Sequence, residues 1–385
     1  MSEARGKLTV LACGLLTLVL GSVHAFSVFI EPIEDELSTG RALTSLTYSL
    51  ALVSLTTGVL FGPRLFHRFS APMFVIGVCV MAALGAALAG FGRNILVLWI
   101  GYGLLFGGAN GLGYGYCLQL VAQTDRRHAG LFMGFVTATY ALGAFVSAFG
   151  FEWLMTGASF ANAMYGLALS LLVVGAVVSL PLRFTAAAYQ PSGLKQDTPG
   201  SFGIGGLMLL WVGFFCGVFS GLAVIGHAAG ILAAAEGTAA SWLAPSIVAV
   251  CSFGASLVLG RLVDRMPGEA LGVILSAVTV LALLALVFTQ SLPLMLVGLG
   301  MVGFAYGGII TVFPALIRQD FGAQMSAIIY GRVFTAWGAA GLLGPYAAGL
   351  IFDARGGYTV ALVLGVGLSL VSGLALLLFK SAKAR

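Results

Sequence analysis

Gly260-Arg261-Leu262-Val263-Asp264-Arg265-Met266-Pro267-Gly268 is a short charged loop set between two apolar runs too long for ordinary core helices. A degraded copy stands earlier, Pro63-Arg64-Leu65-Phe66-His67-Arg68, and matching the two Leu-x-x-Arg cores sets Asp264 against His67, 197 residues apart (264 against 67). Gly103 pairs with Gly300 and Gly134 with Gly331 at that spacing, and Thr137-Ala138 pairs with Thr335-Ala336 at 198. One repeat at half-length predicts two similar halves in parallel order, a plan used by transporters.

Composition places those halves in a bilayer. Of 385 residues 60% are hydrophobic and only 8% charged, too apolar for a soluble domain of this length. The formal charge of +5 does not indicate nucleic acid, because the 18 Lys and Arg fall in short clusters between apolar runs, as juxtamembrane anchors do. Cys13, Cys79, Cys117, Cys216 and Cys251 all lie within apolar runs without a CxxC pair and read as small packing residues, so neither metal nor disulfide is expected. No Walker loop, zinc-ligand cluster or nucleophile elbow is present, which leaves enzymatic chemistry, a cofactor and ATP-driven pumping unsupported.

A span needs about 20 apolar residues to cross roughly 30 Å of hydrocarbon. Twelve fit: 8–30, 43–62, 71–91, 95–119, 130–153 and 160–182, then 203–230, 242–260, 270–289, 292–316, 327–351 and 358–379. The first follows Arg5 and Lys7, is long for a signal-peptide core and reads as retained. Such runs must satisfy their backbone hydrogen bonds internally, so the expected fold is an all-α membrane protein of two pseudo-symmetric six-helix bundles. Residues 1–183 form the first bundle, 184–202 a polar cytoplasmic linker and 203–385 the second. With both termini on one side, fifteen of the 18 basic residues share that side, leaving Arg41, Arg93 and Arg355 on the other; both termini are expected in the cytoplasm. The first outer loop then carries Glu31, Glu34, Asp35 and Glu36.

Polar groups inside spans are costly and therefore worth weighing for function. His24 in span 1 and His227 in span 7 are each a protonatable substrate contact or a histidine bonded to a neighbouring helix. Asn110, Tyr114 and Cys117 make a mildly polar stripe beside a ridge of Gly103, Gly107, Gly111 and Gly115; Gly213, Gly217 and Gly221 make a similar ridge in span 7. Bare ridges let helices approach closely, and static packing is the simplest reading of them. Arg261, Asp264 and Arg265 sit at the inner mouth, where ion pairs can hold a gate; Arg332 at the start of span 11 is a gate cation or a snorkelling anchor.

Gly260 to Arg265 resembles the loop signature of the major facilitator superfamily, strongest in that family between spans 2 and 3. Here the later copy is the better one, with His67 and Pro63 replacing the usual aspartate and glycine of the first loop. Within the family, His24 to Phe29, Tyr306-Gly307-Gly308 through Phe313-Pro314-Ala315, and Tyr330 to Gly338 leading to Gly344-Pro345 resemble the oxalate/formate-antiporter and monocarboxylate-transporter branch. The resemblance implies a secondary carrier of small organic anions working by alternating access, with a midplane site to which position 24, Tyr140, Tyr306 and Trp337 contribute; with Asn110 and Tyr114 of the polar stripe, His24, Tyr140, Tyr306 and Trp337 make the expected substrate site. Where that branch carries cations in spans 8 and 11, this chain has Ser256 and Trp337, so a monocarboxylate, with proton coupling or exchange, or a neutral solute is easier to accommodate than a dicarboxylate. An exporter of hydrophobic or cationic compounds and a non-transporting membrane sensor are the alternatives. The partners expected are a small-molecule substrate, protons, and the lipid of the cytoplasmic membrane; the sequence gives no oligomeric state.

Overall fold

A computed structural model describes residues 3–124, 129–156, 159–185, 204–236, 241–263, 265–289 and 291–383. They are mostly helical, with no strand among them, and include twelve helices long and apolar enough to cross a membrane. The spans used below are span 1, Ala4–Leu37; span 2, Arg41–Phe61; span 3, Ala71–Phe91; span 4, Ile95–Val121; span 5, Phe132–Met155; span 6, Phe160–Thr185; span 7, Gly205–Ala234; span 8, Leu243–Leu262; span 9, Gly268–Phe288; span 10, Leu292–Phe321; span 11, Ile329–Arg355; and span 12, Thr359–Ala382. Proline in the first turn starts spans 3 and 10, where its missing N–H costs nothing. Gly356, with φ of 69°, ends span 11 in the left-handed conformation that glycine adopts without strain.

The chain divides into two compact units, Met1–Pro191 and Ser192–Arg385. The linker expected at 184–202 falls mostly in 186–203, outside the described residues, while Phe184 and Thr185 belong to span 6.

In the first unit the glycine ridge of span 4 packs on span 2. A Cβ at Gly107 would lie 2.5 Å from the Ala51 carbonyl oxygen, and one at Gly111 would overlap the Leu55 carbonyl. In the second unit Gly303 faces Val248 and Gly307 faces Ser252 in the same way. The offsets are 196 or 197 residues (303 against 107, 248 against 51), so the repeat is carried by backbone-to-backbone helix contacts. Spans 1 and 5 approach just as closely: a Cβ at Gly21 would overlap the Tyr140 carbonyl oxygen, and one at Gly143 the Leu18 carbonyl oxygen.

Span 1 departs from a plain helix. It is α-helical over Glu3–Leu20, winds as a 3₁₀ helix over Gly21–Phe29 and returns to α over Ile30–Leu37. Runs of 3₁₀ beyond three or four residues are uncommon and mark special positions in helices. The final segment corrects the expected acidic outer loop: Glu31, Glu34, Asp35 and Glu36 are helical, because Ile30 and Ile33 share a buried face. Glu34 accepts two bonds from Arg41 at the start of span 2, Nε to Oε1 at 2.8 Å and a terminal nitrogen to Oε2 at 2.7 Å. Glu31 lies 4.0 Å from the same guanidinium, and Arg41 is only 6% exposed.

In the second unit helical backbone runs unbroken over Leu292–Arg355, 64 residues, about 96 Å if straight. It is not straight. Trp337 Nε1 donates to the Tyr306 hydroxyl at 3.0 Å across 31 residues, a separation that a straight helix would stretch to about 46 Å, so spans 10 and 11 fold back on each other. Span 12 is tied to spans 7 and 9 by serines: Ser372 donates to the Gly213 carbonyl at 2.7 Å and lies 3.2 Å from Ser276 Oγ.

Candidate functional site

The first unit brings four of the expected site residues together. Tyr140 on span 5 donates its hydroxyl hydrogen to Asn110 Oδ1 on span 4 at 2.8 Å, and Asn110 Nδ2 donates to the Leu20 carbonyl of span 1 at 2.5 Å. Asn110 is fully buried with both ends of its amide engaged, so its geometry orders span 1. Tyr114, one turn on, stacks obliquely on Tyr140 with ring centroids 4.7 Å apart and bonds Thr137 at 3.3 Å. His24 meets Tyr140 edge-on at 5.5 Å.

The 3₁₀ stretch explains how His24 is presented. Of its nine residues, eight are buried and His24 alone is partly exposed. Asn110 and Tyr102 bond the Leu20 and Val23 carbonyls, the latter at 3.4 Å, supplying partners where the winding changes. His24 Nδ1 then lies 2.7 Å from the Tyr48 hydroxyl of span 2.

The second unit holds the other two expected residues, Tyr306 and Trp337, as the bonded pair of spans 10 and 11 described above. Phe334 stacks on Trp337 at 5.3 Å with planes 7° apart. Trp337 is 197 positions after Tyr140 and Tyr306 is 196 after Asn110, so in each unit a side-chain bond joins the matching pair of spans at the matching place. The units differ at His24, whose counterpart 197 residues on is Gly221; there the Tyr306 ring fills the space, 2.6 Å from where a Cβ would lie.

His227 is not part of either cluster. It is fully buried, with Nε2 at 2.8 Å from the Pro345 carbonyl and Nδ1 at 3.2 Å from the Tyr358 hydroxyl. A carbonyl only accepts, so Nε2 carries a hydrogen, and a neutral ring then accepts from Tyr358. That arrangement ties span 7 to span 11 and to the residue ahead of span 12.

Of the expected gate residues, Arg261, Arg265 and Arg332 are exposed, and Asp264 lies outside the described residues. Gln319 on span 10 secures what is described of that loop, donating to the Val263 carbonyl at 2.7 Å and accepting from the Gly268 N–H at 3.1 Å. Sequence reasoning missed Gln319, and it missed Tyr48. The signal for Tyr48 was a hydroxyl-rich stretch in an apolar run, Thr44, Ser45, Thr47, Tyr48 and Ser49, all of it buried.

Comparison with known proteins agrees with this architecture. The chain is 26% identical to an uncharacterized MFS-type transporter, YhjX, of Escherichia coli (strain K12), over 86% of this chain and 84% of that protein. It is 24% identical to the oxalate:formate antiporter of Oxalobacter formigenes, over 87% and 82%. Its fold is similar to that of the E. coli xylose transporter XylE in a partially occluded inward-open conformation, with a TM-score of 0.73 over 97% of each chain at 12% identity. Residues 10–331 match the model of the Major Facilitator Superfamily, and with twelve membrane-spanning helices to match, the chain belongs to that superfamily and is a transporter rather than an enzyme.

Proposed function

We propose that the protein is a secondary carrier of a small organic anion, a monocarboxylate, moved across the cytoplasmic membrane by alternating access with proton coupling or exchange. The observation that carries this reading is the chemistry of the cluster around His24: hydroxyls, an amide and aromatic rings, with a single histidine as its ionisable base. The two positions where the resembling branch holds cations are neutral and engaged, Ser256 with the Ser252 carbonyl at 3.1 Å and Trp337 with Tyr306. The buried Arg41 is bound by Glu34. A substrate of one negative charge is balanced by one histidinium; a dianion would keep an uncompensated charge in a low-dielectric site. The likeness to an oxalate:formate antiporter supports an organic anion, and the neutral residues at the two cation positions favour the singly charged kind. Both termini lie in the cytoplasm, and Arg261, Asp264, Arg265 and Arg332 serve the inner gate.

Thermal unfolding of the purified protein in detergent tests the substrate class. A ligand that binds only the folded state at a hundredfold excess over Kd stabilises by about 2.7 kcal/mol. Formate, acetate, pyruvate and lactate are expected to raise the melting temperature, while oxalate, succinate, sugars and lipophilic cations leave it unchanged. A shift confined to lipophilic cations would overturn the reading in favour of export.

Proton coupling has a separate test. His24→Gln is expected to flatten the pH dependence of monocarboxylate uptake into proteoliposomes while leaving the folded yield unchanged. A pH profile identical to that of the native protein removes His24 as the coupling residue.

A further inference from the structure

Tyr48 is almost fully buried, and its ring stacks on Phe26 at 5.6 Å with planes 5° apart. That packing fixes the hydroxyl 2.7 Å from His24 Nδ1, a short bond whose direction chemistry decides. A phenol is a good donor and a poor acceptor, whereas the bare nitrogen of a neutral imidazole is a good acceptor. Donation from Tyr48 to Nδ1 joins the better donor to the better acceptor; the reverse joins the weaker of each. A neutral imidazole carries one hydrogen, so if Nδ1 accepts, Nε2 must bear it.

We propose that Tyr48 is a positioning residue that holds His24 in its Nε2–H tautomer, so that the histidine meets an acceptor substrate as a hydrogen-bond donor while still uncharged. The assignment of that substrate as a carboxylate rests on the proposed function; the tautomer does not. The ring groups facing His24 are consistent with it. Among the contacts described, the Tyr48 ring of span 2 and the Tyr140 ring of span 5 meet His24 edge-on, and Tyr140 in turn meets Tyr114 of span 4; these are phenols, not carboxylates or cations. When His24 takes up a proton it does so at Nδ1, and the Tyr48 hydroxyl hydrogen turns away as the phenol oxygen becomes the acceptor. One proton is bound, no other bond changes, and no further reactant is needed. The partly exposed ring thus keeps its Nε2–H before and after protonation, and gains only the charge.

The chain has four histidines, His24, His67, His128 and His227, so imidazole ¹⁵N resonances of the full-length protein in lipid are resolvable, and His24→Gln assigns the one of interest. At a pH where the ring is neutral, His24 is expected to show a protonated Nε2 and a non-protonated, hydrogen-bonded Nδ1. Tyr48→Phe keeps the stacking on Phe26 and is expected to replace that single form by a mixture, with at least a tenfold loss of tautomer preference. A native His24 protonated at Nδ1, or a Tyr48→Phe spectrum identical to the native one, overturns the assignment. The native spectrum decides even if the variant folds poorly. A confirmed tautomer with no response to formate, acetate, pyruvate or lactate would leave Tyr48 in its role and dismiss the monocarboxylate instead.

Discussion

Gly143→Ala is expected to leave no folded protein after solubilisation, although it adds a single methyl group. The added carbon would overlap the carbonyl oxygen of Leu18, and on the facing helix Gly21 is held equally tightly against the Tyr140 carbonyl. Overpacking a side chain typically costs about 1–3 kcal/mol because rotamers give way. Here the obstacle on each side is backbone, so relief requires spans 1 and 5 to separate, and the cost lies at or beyond the top of that range. Separation also strains the bridge that Asn110 makes between Leu20 of span 1 and Tyr140 of span 5. Gly134→Ala on span 5 is the control, since nothing lies within 4 Å of its added carbon. Size-exclusion profiles and unfolding temperatures of the two variants check this; a folded Gly143→Ala with native melting would show that the two helices do not meet as described.

Glu34→Ala is expected to destabilise the first unit by up to about 3–5 kcal/mol, the range for removing one member of a buried ion pair. Arg41 would keep Glu31 at 4.0 Å, a longer and weaker substitute for a two-pronged bond at 2.7 and 2.8 Å. Removing both charges is expected to be far milder, because the desolvation penalty goes with them: Glu34→Met with Arg41→Met should recover most of the loss. Unfolding in denaturant, followed for both single variants and the double, measures the coupling. A double variant less stable than either single one would mean that the pair is a net source of stability rather than a device that fixes where span 2 begins.

These two sites also mark where the sequence could and could not be read. The twelve spans were legible because lipid leaves the backbone no other partner and sets a minimum length. The repeat was legible from Gly103 and Gly300, and its physical content proved to be the contacts of Gly107 and Gly303 with the preceding helix of each pair. His24, Asn110 and Tyr114 could be singled out because polar groups in apolar runs are few, whereas Tyr140 came from the family resemblance. The rest depends on partners distant in sequence. Nothing in Gly21–Phe29 announces a change of winding, since the side chains that bond its carbonyl neighbours come from span 4. The acidic residues after Phe29 suggested a loop because charge is conspicuous, while the determinant was the spacing of Ile30 and Ile33. Tyr48 was hidden among hydroxyl side chains that resemble ordinary helix-packing residues.

The change of winding in span 1 gives that helix a mechanical property. A 3₁₀ helix rises about 2.0 Å per residue with three residues per turn, an α-helix about 1.5 Å with 3.6. Over the nine residues from Gly21 to Phe29, rewinding to α would shorten the span by roughly 4–5 Å and rotate one end against the other by about half a turn. Length and rotation are thus coupled in this segment: a change of winding there would turn His24 about the helix axis as it shortened the span, and would have to release or carry along the bonds from Asn110 and Tyr102.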